Sequence, residues 1–135
     1  MDSSKAIIMC MVYGAMVNGK FSDIEKIRIE GVVSYYPIFD KHRASFNIED
    51  EVRDFTKISR EKNNTLAILK YFKDILKEDN LLNTAYAFTL EIISCDLHID
   101  NDEQNLINNM AGIFELSENS RSKLDFSRKV RYLFD

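Results

Sequence analysis

The part of the sequence best equipped for chemistry lies between residues 91 and 118, where seven carboxylates occur without a Lys or Arg among them. The seven are Glu91, Asp96, Asp100, Asp102, Glu103, Glu115 and Glu118. Carboxylates at this density attract hard divalent cations, which prefer oxygen ligands, and they also attract basic protein segments. The candidate ligands for a cation such as calcium or magnesium are Asp96, Asp100, Asp102 and Glu103, joined by Glu25 and Asn18 from an earlier loop.

The same acids suit a structural role at the start of helices. Ser22 with Glu25, and Asp100 with Glu103, have the spacing of a capping box, in which two side chains satisfy two free backbone amides. An EF-hand beginning at Asp96 is excluded, because the Gly and the final Glu that such a loop requires are both missing. Helix capping, a weak cation site and a partner surface are therefore the three open interpretations of this segment.

Three cations near the C-terminal end, Arg128, Lys129 and Arg131, are candidate partner-binding residues. Their clustering fits contact with an acidic protein or with lipid headgroups, and it equally fits a solvated helix face. Cys10 and Cys95 lie in apolar stretches, so we interpret them as core thiols in a reducing compartment.

Several function classes are disfavoured by what the sequence lacks. There is no Gly-rich phosphate loop, nucleophile elbow or HExxH motif, so we do not expect an enzyme. The net charge of −4 argues against general nucleic-acid binding, which needs a basic surface. The longest apolar run, residues 6–17, is shorter than the roughly 20 residues of a membrane span, and no secretory signal is recognised. We expect a cytoplasmic protein.

The elements that position these residues are predicted to be helices, because four Gly and one Pro in 135 residues leave little material for strand turns. An all-α single domain, residues 1–135, is expected, with Ser3 or Ser4 capping its first helix and a polar loop at 37–48. The last helix is predicted to end in Tyr132, Leu133 and Phe134. About seven helices are predicted, near residues 3–17, 22–36, 48–60, 64–77, 81–95, 101–114 and 118–132.

Two segments follow the same plan with an offset of 78 residues, in halves of about 3–60 and 81–132. In each, a helix that is apolar all round runs into a polar loop, a capping box and an amphipathic helix. A helix that is apolar on every side must be surrounded by other helices, so the first and fifth predicted helices should pack together at the centre. That arrangement would bring both polar loops to related places.

These loops and helices resemble the TerB-like tellurite-resistance family, which also includes the N-terminal domain of the DjlA co-chaperone. The family signature reads A-x-x-D-G-x-[IV]-S-x-x-E and occurs twice per domain. The first copy here runs from Ala15 to Glu25 as AMVNGKFSDIE, and the second from Asp96 to Glu103 as DLHIDNDE. The resemblance covers about residues 5–130.

The resemblance implies two pseudo-symmetric helical halves and a role in metal binding and chemical-stress response, often near membrane partners. Asn18 stands where the family usually has Asp, and Leu97 where it usually has Gly, which weakens the implied metal site. We expect a non-enzymatic TerB-like domain that binds a divalent cation or a partner, which would be another protein, a further copy of the chain or a membrane surface. The alternative is a purely structural protein–protein interaction module that has lost the cation site.

Overall fold

The structure is a computed structural model that describes residues 1–132, and every regular element in that range is helical. Eight α-helices are present: α1 (Ser3–Met16), α2 (Asp23–Tyr35), α3 (Asp40–Arg43), α4 (Ile48–Lys62), α5 (Thr65–Leu76), α6 (Leu82–Ser94), α7 (Asn101–Ile113) and α8 (Glu118–Tyr132). Short 3-10 turns at Pro37–Phe39 and Lys77–Asp79 precede α3 and follow α5. The all-α prediction is confirmed for these residues, and the seven predicted helices lie within two residues of α1, α2 and α4–α8.

The predicted count of about seven helices is wrong, because the segment 37–48 is not simply a polar loop. Pro37, with its fixed φ, begins the 3-10 turn, and Phe39 in the same turn is fully buried. Arg43, the last residue of α3, donates hydrogen bonds to two carbonyls at the end of α2. The burial of Phe39 and the two hydrogen bonds of Arg43 stabilise this segment as the short helix α3, which raises the number of described α-helices to eight.

The two most apolar helices, α1 and α6, form the most extensive helix pair among the described residues, as predicted. Every residue from Ala6 to Val12 is fully buried, which is possible only for a helix with neighbours on all sides. The pair approaches closely at Gly14, where a Cβ atom would lie 3.0 Å from an Ile93 methyl and 3.1 Å from a Thr89 methyl. This contact fixes how α1 and α6 cross.

The cap of α1 differs from the prediction of Ser3 or Ser4. Asp2 is the N-cap, and its carboxylate accepts a hydrogen bond of 2.9 Å from the Lys5 amide. Ser4 donates to the same carboxylate, and both serines are buried within the first turn. Asp2 is favoured because a carboxylate at a helix N-terminus both accepts the free amides and complements the helix dipole.

Helix α8, like the short α3, has no buried residue among those that the structure describes. It is held on α6 by polar contacts: Tyr86 donates to Asp125 at 2.7 Å, and Tyr132 donates to Glu91 at 2.6 Å. Leu133 and Phe134, predicted to end this helix, lie outside the described residues. No helix within residues 1–132 has the length and apolarity to cross a membrane.

Candidate functional site

The loops after α1 and α6 have matching backbone geometry. Asn18 and Asp96 each accept a hydrogen bond from the amide two residues on, at 2.9 and 3.0 Å. Gly19 and Leu97, again 78 residues apart, both have a left-handed backbone, with φ of 77° and 63°. The left-handed region suits Gly and is strained for Leu, so the second loop keeps the shape of the first at an energetic cost.

Both predicted capping boxes are present. In α2, the Ser22 hydroxyl accepts from the Glu25 amide at 3.2 Å, and the Glu25 carboxylate accepts from the Ser22 amide at 3.0 Å. In α7, Asp100 and Glu103 exchange the equivalent bonds at 2.9 and 3.0 Å. Each pair satisfies two backbone amides that a helix start leaves free.

The two loops meet through a direct hydrogen bond from Asn18 Nδ2 to Asp100 Oδ2, 2.8 Å long. This contact joins the two halves of the sequence and brings five of the six predicted cation ligands into one region. We call that region the acidic junction; it consists of Asn18, Glu25, Asp96, Asp100 and Glu103. Asp102, the sixth predicted ligand, is exposed in the first turn of α7, as an ordinary first-turn acid would be.

The acidic junction contains two buried carboxylates, Glu25 and Glu103, whose residues are only 3% and 2% exposed. Burial, together with the negative charges of Asp100, Asp96 and Glu25, raises the pKa of Glu103 to about 7. Burial likewise raises the pKa of Glu25. The Glu103 amide and the Asn18 side chain lower the pKa of Asp100, which therefore keeps its charge while Glu103 binds a proton near neutrality.

The oxygens of the acidic junction are largely occupied by protein donors. Glu25 and Glu103 each use one oxygen in a capping box, and Asp100 uses one oxygen for the Glu103 amide and the other for Asn18. Within residues 1–132, no three Asp, Glu, His or Cys side chains are grouped as the ligands of a metal ion would be. Capping and the link between loops account for the contacts of this region.

A second candidate site is a cavity of about 760 Å³ between α2 and α8, both of which pack on α6. We call it the α2–α6–α8 groove. Its walls are formed by Ile27, Arg28, Gly31, Val32 and Tyr35 of α2 with Tyr36 directly after that helix, by Asn83, Thr84, Ala87, Phe88 and Glu91 of α6, and by Leu124 and Arg131 of α8. Ile27 and Tyr35 are 67% and 77% exposed, so the groove is open to solvent and carries unpaired apolar surface.

Charged side chains in the groove centre on Glu91. Its carboxylate forms ion pairs with Arg28 at 3.2 Å and with Arg131 at 3.3 Å, and it accepts the hydroxyl hydrogen of Tyr132. Burial first, and then this hydrogen bond, raises the pKa of Tyr132 to about 12. One carboxylate thus ties α2 and α8 to α6 and fixes both sides of the groove.

The structure places the three predicted partner-binding cations in different surroundings. Arg131 lines the α2–α6–α8 groove, Lys129 is exposed, and Arg128 is half-buried on α8. The two cysteines also differ: Cys10 is fully buried as predicted, whereas Cys95 is half-buried. Burial and nearby carboxylates raise the pKa of Cys95 to about 12, so it is no nucleophile at neutral pH.

The groove was not predicted, because the helix after the first capping box was predicted only to be amphipathic. Ile29, Val32 and Val33 form the buried face. Ile27 and Tyr35 belong to a second stripe, spaced eight residues apart on the outer side, with Gly31 midway. Two apolar stripes on one helix, at different angles, were the available signal.

No protein-family model, curated protein or solved structure matches this chain.

Proposed function

We propose that this chain is a non-enzymatic binding domain that holds a protein partner in the α2–α6–α8 groove. The observation that carries the proposal is the exposure of Ile27 and Tyr35 at the edge of a concave, mostly apolar surface. Contiguous apolar surface of this kind marks binding sites, because leaving it in water costs about 25 cal/mol for each Å². A partner that covers the groove removes that cost.

The groove is also suited to binding because its sides are fixed in advance. Glu91 pairs with Arg28 and Arg131, while Tyr86 donates to Asp125 and accepts from Arg121 at 3.3 Å. These contacts tie α2 and α8 to the central helix α6. A preformed surface loses less conformational entropy on binding than a mobile one, which favours affinity.

The proposal includes a TerB-like arrangement of two duplicated halves. It is supported by the bounds of the helices: α6 and α7 end 78 residues after α1 and α2, and the loops between them share the same turns. The resemblance to the TerB-like family supports a role in a chemical-stress-related setting. On this proposal the acidic junction is the structural link between the halves, and the groove is the functional surface.

Site-specific photo-crosslinking in cells tests the proposal. A benzophenone amino acid would replace Tyr35 in the groove and, as a matched control, Leu66 on α5, which is also more than half exposed. We expect discrete cross-linked protein adducts from the Tyr35 position and none of the same size from Leu66. Identical adducts from both positions, or none from Tyr35, would contradict a partner surface at the groove.

A second candidate function is a weak divalent-cation site at the acidic junction. It is supported by the approach of four carboxylates, from both halves, around the Asn18–Asp100 contact, which raises the pKa of Glu103. A bound cation would neutralise this repulsion. It ranks second because the capping boxes already occupy oxygens of both buried glutamates.

Calorimetric titration with calcium, magnesium, manganese and zinc tests the cation site. Heat of binding that disappears in an Asp96→Asn, Glu103→Gln double variant would support it. The absence of heat and of any thermal shift with all four cations would refute it and leave the groove as the functional surface.

A further inference from the structure

We infer that the α2–α6–α8 groove takes a single amphipathic α-helix of about three turns, with acidic residues beside its apolar face. This inference rests on the proposed function and specifies the class of partner. It follows from the length of the exposed stripe on α2, the open space at Gly31 and the charges on both sides of the groove.

The shape of the groove fits a helix. The exposed apolar residues of α2 recur at Ile24, Ile27 and Tyr35, and a stripe from residue 24 to 35 is about 16 Å long at 1.5 Å for each residue. Gly31 lies within this stripe, and a Cβ atom there would meet nothing within 4 Å. The missing side chain leaves room for a large apolar residue of a helix lying along the groove.

The charge of the groove selects an acidic partner. Among the described residues that line it, two are cationic, Arg28 and Arg131, and one is a carboxylate, Glu91. The adjoining helix α8 carries Arg121, Lys123, Arg128, Lys129 and Arg131 against two carboxylates, Glu118 and Asp125. The described lining of the groove and helix α8 therefore each carry more positive than negative side chains, in a chain whose net charge is −4, and opposite charge steers and orients a partner.

Two other occupants fit less well. In a symmetric dimer built on this face, the same patch of each copy meets the other, so the arginine-lined grooves of the two copies would be brought together. A lipid bilayer contacts protruding apolar side chains and not the inside of a cavity, whereas Gly31, Ala87 and Leu124 line a concave surface. An acidic helix avoids both problems, because it fills the groove and pairs with its arginines.

The test uses the purified chain and a displayed library of 16-residue peptides with apolar residues fixed at helical spacing and the remaining positions randomised. We expect enriched peptides to be rich in Asp and Glu, to gain helicity on binding and to bind more weakly as NaCl is raised. Enriched peptides that are basic or bind without becoming helical would overturn the inference, as would a library with no enrichment.

Two pairs of variants locate the binding. Gly31→Trp fills the groove, and Gly112→Trp on α7 is its control, because a Cβ atom at either position meets nothing within 4 Å. We expect at least a tenfold loss of peptide affinity for Gly31→Trp only. Arg28→Gln should weaken binding several-fold, whereas Lys57→Gln on the exposed side of α4 makes the same change of charge without effect. Circular dichroism melting confirms that each variant folds.

The alternative occupants appear as distinct results. A dimer that Gly31→Trp dissociates in light scattering, or binding to phosphatidylglycerol vesicles that the same variant abolishes, would overturn the inference in favour of a second copy or a membrane. Cross-linked adducts at Tyr35 together with enriched peptides of the wrong charge would overturn the inference while leaving the proposed function intact. Failure of both experiments would reject both.

Discussion

Replacing Glu103 with Gln should make the protein more stable at high pH and leave it unchanged at low pH. The Glu103 residue is 2% exposed, and burial together with the neighbouring carboxylates raises its pKa from 4.5 to about 7. The folded state therefore binds a proton more tightly than the unfolded state. Stability must then be greatest below the unfolded pKa and must fall as the pH rises from 4.5 through about 7.

The size of the effect follows from the same two values. Each pKa unit corresponds to 1.36 kcal/mol, so ionising Glu103 in the folded protein costs about 3 kcal/mol at pH 8. Gln is uncharged, and its carbonyl can still accept the Asp100 amide in the capping box. The favourable position of the carboxylate at the helix N-terminus is already part of this shift, so we expect a net gain of about 3 kcal/mol at pH 8.

The assay is urea unfolding of the wild type and the variant at several values between pH 4.5 and 8.5. Glu49→Gln is the control, because Glu49 is an exposed acid in the first turn of α4. We expect the stability difference for Glu103→Gln to grow across this range and that for Glu49→Gln to stay nearly constant. A Glu103→Gln variant that is equally destabilised at pH 4.5 and 8 would refute the electrostatic account of the acidic junction.

Three further substitutions test the loops and the central pair by thermal and urea unfolding. Leu97→Gly should stabilise the protein by about 0.5–1 kcal/mol, because Leu97 has a left-handed backbone and its exposed side chain has little packing to lose. Destabilisation would show that this backbone strain is absent. Asn18→Asp should destabilise the protein by about 1–2 kcal/mol at pH 8, because the Asn18–Asp100 hydrogen bond is replaced by two carboxylates that face each other. An unchanged melting temperature would argue against the Asn18–Asp100 contact. Gly14→Val should destabilise the protein by about 2–3 kcal/mol, because the Cβ atom of the new Val side chain would lie 3.0 and 3.1 Å from methyl groups of α6. A neutral result would mean that α1 and α6 separate easily.

The sequence was sufficient to predict the helices and the centre of the fold, because those features depend on local patterns. The apolar run at 6–17 and the capping spacing at Ser22 and Asp100 each have one favourable helical interpretation. Even the loop geometry was partly visible, since Asn18-Gly19 is a typical left-handed turn. The offset of 78 and the central helix pair predicted that the two loops lie in related places, but they did not predict the Asn18–Asp100 hydrogen bond.

The groove and the burial of the acidic side chains could not be predicted from the sequence, because both depend on how distant helices pack. Whether Ile27 packs inward or faces solvent depends on where α6 and α8 lie, and apolar spacing alone does not distinguish two faces of one helix. The capping role of Glu25 and Glu103 was predicted from their spacing, but their burial, at 3% and 2% exposure, was not, because it depends on how the two halves pack. The count of helices failed at Phe39 for the same reason, because its burial stabilises α3 through distant contacts.

The acidic junction and the groove both include residues of α2, so this helix contributes to both. Glu25 on α2 is buried at the junction, while Arg28, three residues on, reaches Glu91 in the groove. The junction fixes the N-terminal end of α2, and the ion pair fixes its middle. Together they explain why an apolar stripe can be held open to solvent on a helix that is otherwise firmly packed.

The most direct test of the groove as the partner surface is amide chemical-shift mapping of the ¹⁵N-labelled chain with a partner identified by cross-linking at Tyr35. We predict that the largest shifts fall on Ile27, Gly31, Tyr35 and Leu124, which line the groove, and that Asp96 in the acidic junction is little affected. Shifts concentrated at the acidic junction, with the groove residues unchanged, would contradict the account.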